Sequence, residues 1–284
     1  MNIMLIGKNK FDSGKTSVAR ILTQIFKSLG LEIIPFKPHS GFNYWYNYNF
    51  LEYYFKFGDF YSKDILTLLK DAKFSYKINP LILNPVHRVL GPTKKLFNET
   101  FFDEIFLIRF TNLNKPNFIP KSKYYINQNH IGIQEIIEKI KKLYIPEQIK
   151  FINSMSEVEE LYVNNFSISV ESCFSYLNSN FENIIVECFN DAAYPFLNIE
   201  NYIDYVGLVT PGKLYILNSE KYFKKCDLMA NINSKLLLTS SKIIEQSLII
   251  AEFDIYPVND WNKFLKHQIL NKYSTLKKFI LKNT

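Results

Sequence analysis

A strand, a glycine-bounded loop and a helix in immediate succession constrain this chain more than anything else in it. Ile3-Met4-Leu5-Ile6 is a short apolar run of strand type. Gly7-Lys8-Asn9-Lys10-Phe11-Asp12-Ser13-Gly14-Lys15-Thr16 follows directly, and then Val18, Ile21, Leu22, Ile25, Phe26 and Leu29 recur at helical spacing before Gly30 supplies a stop. A loop ending Gly-Lys-Thr between a strand and a helix predicts a phosphate-binding loop. Its backbone N–H groups would curl round phosphate oxygens, Lys15 would neutralise them, and the Thr16 hydroxyl would ligate Mg2+ at the positive helix end. The nucleotide-contacting residues expected are Asn9, Lys10, Asp12, Ser13, Gly14, Lys15, Thr16 and Ser17. Asn9 stands where the pattern G-x-x-x-x-G-K-[ST] has its first glycine, and Asn visits the left-handed region such a loop needs. A chance Gly-Lys-Thr at an ordinary helix start is the plain alternative, and the flanking strand and helix weigh against it.

Glu32-Ile33-Ile34-Pro35-Phe36 reads as a second short strand, so the chain opens as β-α-β with parallel pairing. The fold class expected is α/β, a doubly wound and mainly parallel sheet, as one domain over 1–284 closed by a basic amphipathic helix from about Asn259. Strands are predicted over 101–110, 183–187 and 202–210, with a short edge at 214–217. Helices are predicted at SKDILTLLKDAK, over 132–143 and 154–178, after Asn218 or Ser219, and from Thr239-Ser240-Ser241 through Ala251. No run of about eighteen apolar residues and no secretion-type start is present, which predicts a cytoplasmic chain with no membrane partner. Cys173, Cys188 and Cys226 lack C-x-x-C spacing, which argues against structural zinc and fits a reducing compartment. The formal charge of +7 lies partly in Lys263, Lys266, Lys272, Lys277, Lys278 and Lys282. Without a recognition motif a solvated helix face outweighs nucleic-acid contact.

Ile184-Ile185-Val186-Glu187 is a continuous apolar strand ending on an acid, as a central parallel strand ends at its ligand-facing edge. Glu187 is therefore the expected metal-side acid, with Asp191 as the fallback and an ordinary strand-end ion pair as the alternative. Lys37 follows the second strand, where a cation could touch a γ-phosphate or an acidic substrate. Asp64 is a second candidate metal ligand, weighed against a solvent-facing helix carboxylate. Lys10 lies at the offset of the extra lysine in phosphate loops that reach across a dimer, although an exposed loop lysine is the weightier account. The aromatic stretch Phe42, Tyr44, Trp45, Tyr46, Tyr48, Tyr53 and Tyr54 could stack a planar ligand, with burial the stronger alternative. His39 and His87 are isolated and carry no assigned role.

Taken in order, the Gly-Lys-Thr loop, Lys37-Pro38-His39-Ser40-Gly41, Ile78-Asn79-Pro80-Leu81-Ile82-Leu83-Asn84-Pro85 and Ile184-Ile185-Val186-Glu187 resemble the dethiobiotin synthetase group of P-loop enzymes. The group includes the related cobyric and cobyrinic acid synthase ATPase domains. The resemblance implies a P-loop NTPase fold, a homodimer, ATP and Mg2+ as cofactors, and phosphoryl transfer to a small carboxylate. It implies catalytic roles for Lys15, Lys37 and Ser40, and metal-side roles for Thr16, Glu187 and Asp64. Adenine rather than guanine is also implied by the resemblance; apart from it, Asn231-Ile232-Asn233 is a candidate segment for contact with the base. Where the family continues into E-G-A-G-G, this chain has Glu187-Cys188-Phe189-Asn190-Asp191, so the scaffold is kept and the substrate left open. The function expected is an Mg-ATP-dependent ATPase or carboxylate-activating ligase. The alternatives are a non-catalytic nucleotide switch acting through dimerisation or a partner protein, and a nucleic-acid-associated ATPase.

Overall fold

The computed structural model describes residues 1–10, 12–57, 59–72, 78–93, 97, 100–114, 117–130, 134–143, 146–230, 235–258, 261 and 269–284. Phe11, the Asn231-Ile232-Asn233 segment, and Lys263 and Lys266 of the basic helix lie outside the described residues. The chain gathers into two compact units, one of 1–38, 64–77 and 176–284, the other of 39–63 and 78–175. The expected α/β class holds in a coarser form. There are two mixed sheets, one of six strands and one of five, where a single mainly parallel sheet was expected.

In the first unit the strands, numbered in chain order, are β1 (Asn2–Gly7), β2 (Ile34–Phe36), β8 (Ile184–Glu187), β9 (Tyr205–Thr210), β10 (Lys213–Asn218) and β11 (Ile249–Asp254), arranged β11-β10-β9-β1-β8-β2. β9, β1, β8 and β2 run parallel, while β10 and β11 are added antiparallel. β1 and β2 do not pair with each other, because β8 lies between them and pairs with both. All four parallel strands therefore deliver their C-terminal ends to one edge, the edge that takes ligands in open α/β sheets.

Helix α1 (Lys15–Ser28) covers one face of this sheet, and its apolar stripe explains why. Val18, Ile21, Leu22, Ile25 and Phe26 are buried with Ile3, Leu5 and Ile185, while Met4 and Ile6 alternate to the other face and are buried there. Each such side chain contributes about 1.5–3 kcal/mol of burial before conformational entropy is subtracted. Gly30, in the left-handed region at φ 74, ends the helix without strain. Helix Ser274–Asn283 closes the same core with Leu276 and Ile280, leaving Lys278 and Lys282 exposed.

Two expectations here are corrected. The predicted helix through Ala251 stops after one turn at Ile243, and β11 follows instead. Ile249, Ala251 and Phe253 alternate with exposed Ile250, Glu252 and Asp254, a period of two that propensity alone overlooked. β10 is consequently an interior strand and not an edge, since β11 pairs along it.

The second unit holds β3 (His39–Asn43), β4 (Val86–Leu90), β5 (Ile105–Asn114), β6 (Ile119–Asn127) and β7 (Ile149–Ile152), in that spatial order. Around them lie α2 (Tyr48–Phe57), the one-turn helices α4 (Pro80–Leu83) and α5 (Phe101–Glu104), and α6 (Gln134–Leu143). Most of α7 (Met155–Asn180) belongs here, whereas α3 (Lys63–Ala72) belongs almost wholly to the first unit. The strand predicted over 101–110 begins only at Ile105. Thr100 and Asp103 bond reciprocally in a capping box and wind the preceding residues into α5. The aromatic stretch divides its roles: Tyr44 and Tyr54 are buried, while Trp45 is 66% and Tyr46 81% exposed.

Candidate functional site

At the C-terminal edge of the first sheet, strand register brings distant residues together. Phe36 on β2 pairs with Val186 on β8, so the next residue, Lys37, lies beside Glu187. Leu5 pairs with Glu187 on the other side, which carries the loop after Gly7 to the same place. Glu187 is 2% exposed, and its Oε1 accepts from both Thr16 Oγ1 at 3.0 Å and Lys37 Nζ at 2.8 Å. Lys37 also donates to Asp64 Oδ2 from the first turn of α3. Glu187 Oε2 is buried and has no hydrogen-bond partner among the described residues. A buried carboxylate oxygen without a donor is costly, and this one belongs to a carboxylate that already meets a hydroxyl and an ammonium.

The loop itself is folded tightly over its first residue. Ser13 Oγ donates to Asn9 O at 2.8 Å and accepts from Asn9 N–H at 3.0 Å. A Cβ on Gly7 would lie 2.6 Å from Ser13 Oγ and 2.8 Å from Lys15 Nζ, so glycine is required there by space. Asp12 and Gly14 take positive φ, 54 and 87, to turn the chain into α1. Lys10 and Asp12 are exposed, while Thr16 and Ser17 are half-buried on the first turn.

Lys15 bends back and donates to Asn190 O at 2.6 Å, from a residue itself held at φ 49. Burial lowers the Lys15 ammonium below its ordinary value; Glu187 opposes this, and Lys37 adds to it. Lys37 goes the other way: burial would depress it, but the Glu187 and Asp64 carboxylates outweigh burial and hold it raised. A lowered lysine destabilises the fold at pH values below its folded pKa, and that cost fades as pH rises towards the ordinary value. Lys15→Met is therefore expected to raise the thermal midpoint of the free protein at pH 7 by about 2–4 °C, with the gain shrinking towards pH 10. Scanning calorimetry at both pH values checks this, and a lower midpoint for the variant at pH 7 would refute it.

Thr16, Lys37, Asp64 and Glu187 are thus gathered in one hydrogen-bonded cluster, with Lys15 beside it as the first residue of α1. Ser40 belongs to the second unit. There its Oγ is engaged with Asn84 Oδ1 at 2.8 Å and His87 Nδ1 at 2.6 Å, all buried. Asp191, the fallback acid, contributes its backbone carbonyl to Ser240 N–H at 2.8 Å. Two contributors escaped the sequence reading: the Asn190 carbonyl, for which no side-chain pattern exists, and Ser240, visible only as a helix cap. Among the described residues no three His, Cys, Asp or Glu side chains cluster as a metal site, and no helix is long and apolar enough to cross a membrane.

Comparison with protein-family models, with curated proteins and with solved structures finds no match to this chain.

Proposed function

We propose that the chain binds Mg-ATP through the 7–16 loop and transfers phosphoryl groups, with a small carboxylate as acceptor. The observation carrying this reading is buried Glu187, which shares one oxygen between Thr16 and Lys37 and leaves the other without a donor among the described residues. That donor set fits Mg2+, which is usually held by one or two carboxylates, a hydroxyl, water and substrate phosphates and not by a cage of acids. Thr16 and Glu187, with Asp64, would hold the ion. Bound there, Mg2+ supplies charge neutralisation to the phosphate oxygens. Loop N–H groups and Lys15 then bind and orient the phosphates, and Lys37 offers a buried cation to charge developing on the transferred group. No protein nucleophile is required. The likeness to dethiobiotin synthetase-type ATPases supports the adenine and carboxylate assignments and the expectation of a homodimer.

A second reading, a nucleotide switch with little turnover, is favoured by one specific contact. Lys15 is occupied by the Asn190 carbonyl, so a phosphate must displace it and thereby release the loop after β8. Calorimetric titration with Mg-ATP and Mg-GTP, with phosphate release followed in the same samples, tests both readings. ATP is expected to bind to the wild type and to lose at least about a hundredfold in affinity in Lys15→Ala, since a charged hydrogen-bond partner is removed. Release stimulated by small carboxylates supports the ligase. Binding with negligible release supports the switch, and no binding of either nucleotide removes the proposal.

A further inference from the structure

Ser240 lies far along the chain from the 7–16 loop, yet it is 0% exposed and bonded to both loops at the sheet edge. Its Oγ donates to Gly7 O, and its N–H donates to Asp191 O at 2.8 Å. One further bond, from Ala193 N–H to Leu238 O at 2.9 Å, joins the Ser240–Asp191 bond to make an antiparallel bridge between Ala192 and Thr239. Residues 238–240 therefore run as a strut beside 191–193, immediately after the segment that carries Glu187 and Asn190.

The Gly7 end of the strut matters most. Gly7 C=O and Lys8 N–H belong to one planar peptide unit. Ser240 Oγ holds the carbonyl side, and Val209 O holds the N–H side at 3.0 Å. Fixing both ends of that plane sets the direction in which the chain leaves β1, and hence where Ser13, Lys15 and Thr16 fall as the loop closes over Gly7. The same residue, through its amide, restrains the loop whose Asn190 carbonyl holds Lys15.

We infer that Ser240 is a positioning residue for phosphate binding: it ties the loop after β1 to the loop after β8 and so sets Lys15 and Thr16 against Glu187. This inference rests on the nucleotide-binding reading above. Ser240 touches neither nucleotide nor metal in this scheme and acts only through Gly7 and Asp191. Ser240→Ala leaves the buried Gly7 carbonyl without its donor while keeping the amide bond to Asp191. Ser240→Cys keeps the volume with a weaker donor.

Amide hydrogen exchange of the free protein and Mg-ATP titration, both on the same samples, separate the possibilities. Ser240→Ala is expected to exchange its loop amides over 8–14 about tenfold faster and to bind Mg-ATP about tenfold more weakly, the equivalent of one unmade buried hydrogen bond. Ser240→Cys is expected to fall between that variant and wild type, and remains informative should Ser240→Ala fail to fold. Tyr273→Phe, which removes a different, part-buried hydroxyl that accepts from Tyr256 N–H, serves as a stability control and is expected to leave both readouts unchanged. Unchanged loop exchange in folded Ser240 variants, with Mg-ATP binding intact, would overturn the positioning role and leave the nucleotide reading standing. Faster loop exchange in a protein whose wild type binds no Mg-ATP would overturn the nucleotide reading alone. Equal loss of affinity in Tyr273→Phe would reduce Ser240 to a stability effect and overturn its positioning role.

Discussion

Lys37→Met is expected to destabilise the first unit by about 3–5 kcal/mol near neutral pH and to abolish the proposed phosphoryl transfer. The cost resides mainly in Glu187. Its side chain is 3% exposed and, among the described residues, would keep only the Thr16 hydroxyl as a direct donor, a buried charge stripped of its ion pair. The second pair contributes less, because the Asp64 side chain is 38% exposed and water screens it. Denaturant melts read by exchange at β1 and β8 amides measure the loss. Adding Glu187→Gln to Lys37→Met removes the stranded charge and is expected to recover most of the stability and none of the activity. A single variant as stable as wild type, or a double variant no better than the single, would sink this account.

The pH dependence carries a second signature. The folded-state pKa of Lys37 is raised above its ordinary value of 10.5 by the two carboxylates that outweigh its burial. A raised lysine contributes stability that is full below the unfolded value and is lost as pH rises through the folded one. Wild type is therefore expected to lose stability above about pH 10.5 along a limb that Lys37→Met lacks. Lys15, lowered by burial, works in the opposite direction and over the range below the ordinary lysine value. Two lysines on one sheet edge are thus expected to differ in sign, because one touches carboxylates and the other a backbone carbonyl.

The parts of this arrangement that sequence made legible were local. Ile3–Ile6, the glycine-bounded loop and the α1 stripe could be read because strand period, loop length and helix period follow one another without a break. Glu187 stood out because a wholly apolar strand ending on an acid is an unusual sentence in sequence. That Lys37 and Glu187 meet could not be read from either segment, since it depends on β8 inserting between β1 and β2 and on the pairing of Phe36 with Val186. The second sheet was largely missed. His39–Asn43 and Val86–Leu90 are short, carry polar or charged residues, and are strands only because non-local partners complete them. Ser240 shows the same limit at a site, for its hydroxyl bonds a carbonyl remote in sequence and leaves no motif.

Arg109→Met is expected to cost the second unit about 3–5 kcal/mol, a loss of stability unconnected with nucleotide chemistry. Arg109 is 0% exposed, and its guanidinium is spent on the chain around it. Nε donates to Phe60 O at 2.7 Å, Nη1 to Pro85 O at 3.3 Å and to Thr111 Oγ1, and Nη2 to Asn84 O. Methionine fills much of the stem's volume but donates nothing, so three carbonyls and a hydroxyl lose a donor in one step. Burial raises the Asp59 carboxyl above its usual range while Arg109 attracts its charge and opposes that shift. Removing Arg109 therefore enlarges the cost of an ionised Asp59, a cost that falls as pH falls and the carboxyl protonates. The deficit of Arg109→Met is expected to be smaller at pH 5 than at pH 7, and Asp59→Asn in that background is expected to flatten the difference. A deficit below about 1 kcal/mol would mean the carbonyls find other donors, and a deficit independent of pH would remove Asp59 from the explanation. The same network decides how Ser40 is to be tested, since Asn84, whose carbonyl serves Arg109, also receives the Ser40 hydroxyl on its Oδ1. If Ser40 is one more member of this buried scaffold, Ser40→Ala lowers stability by about 1 kcal/mol and leaves turnover at saturating Mg-ATP unchanged; a collapse of turnover without loss of stability would instead support the catalytic role implied by the resemblance.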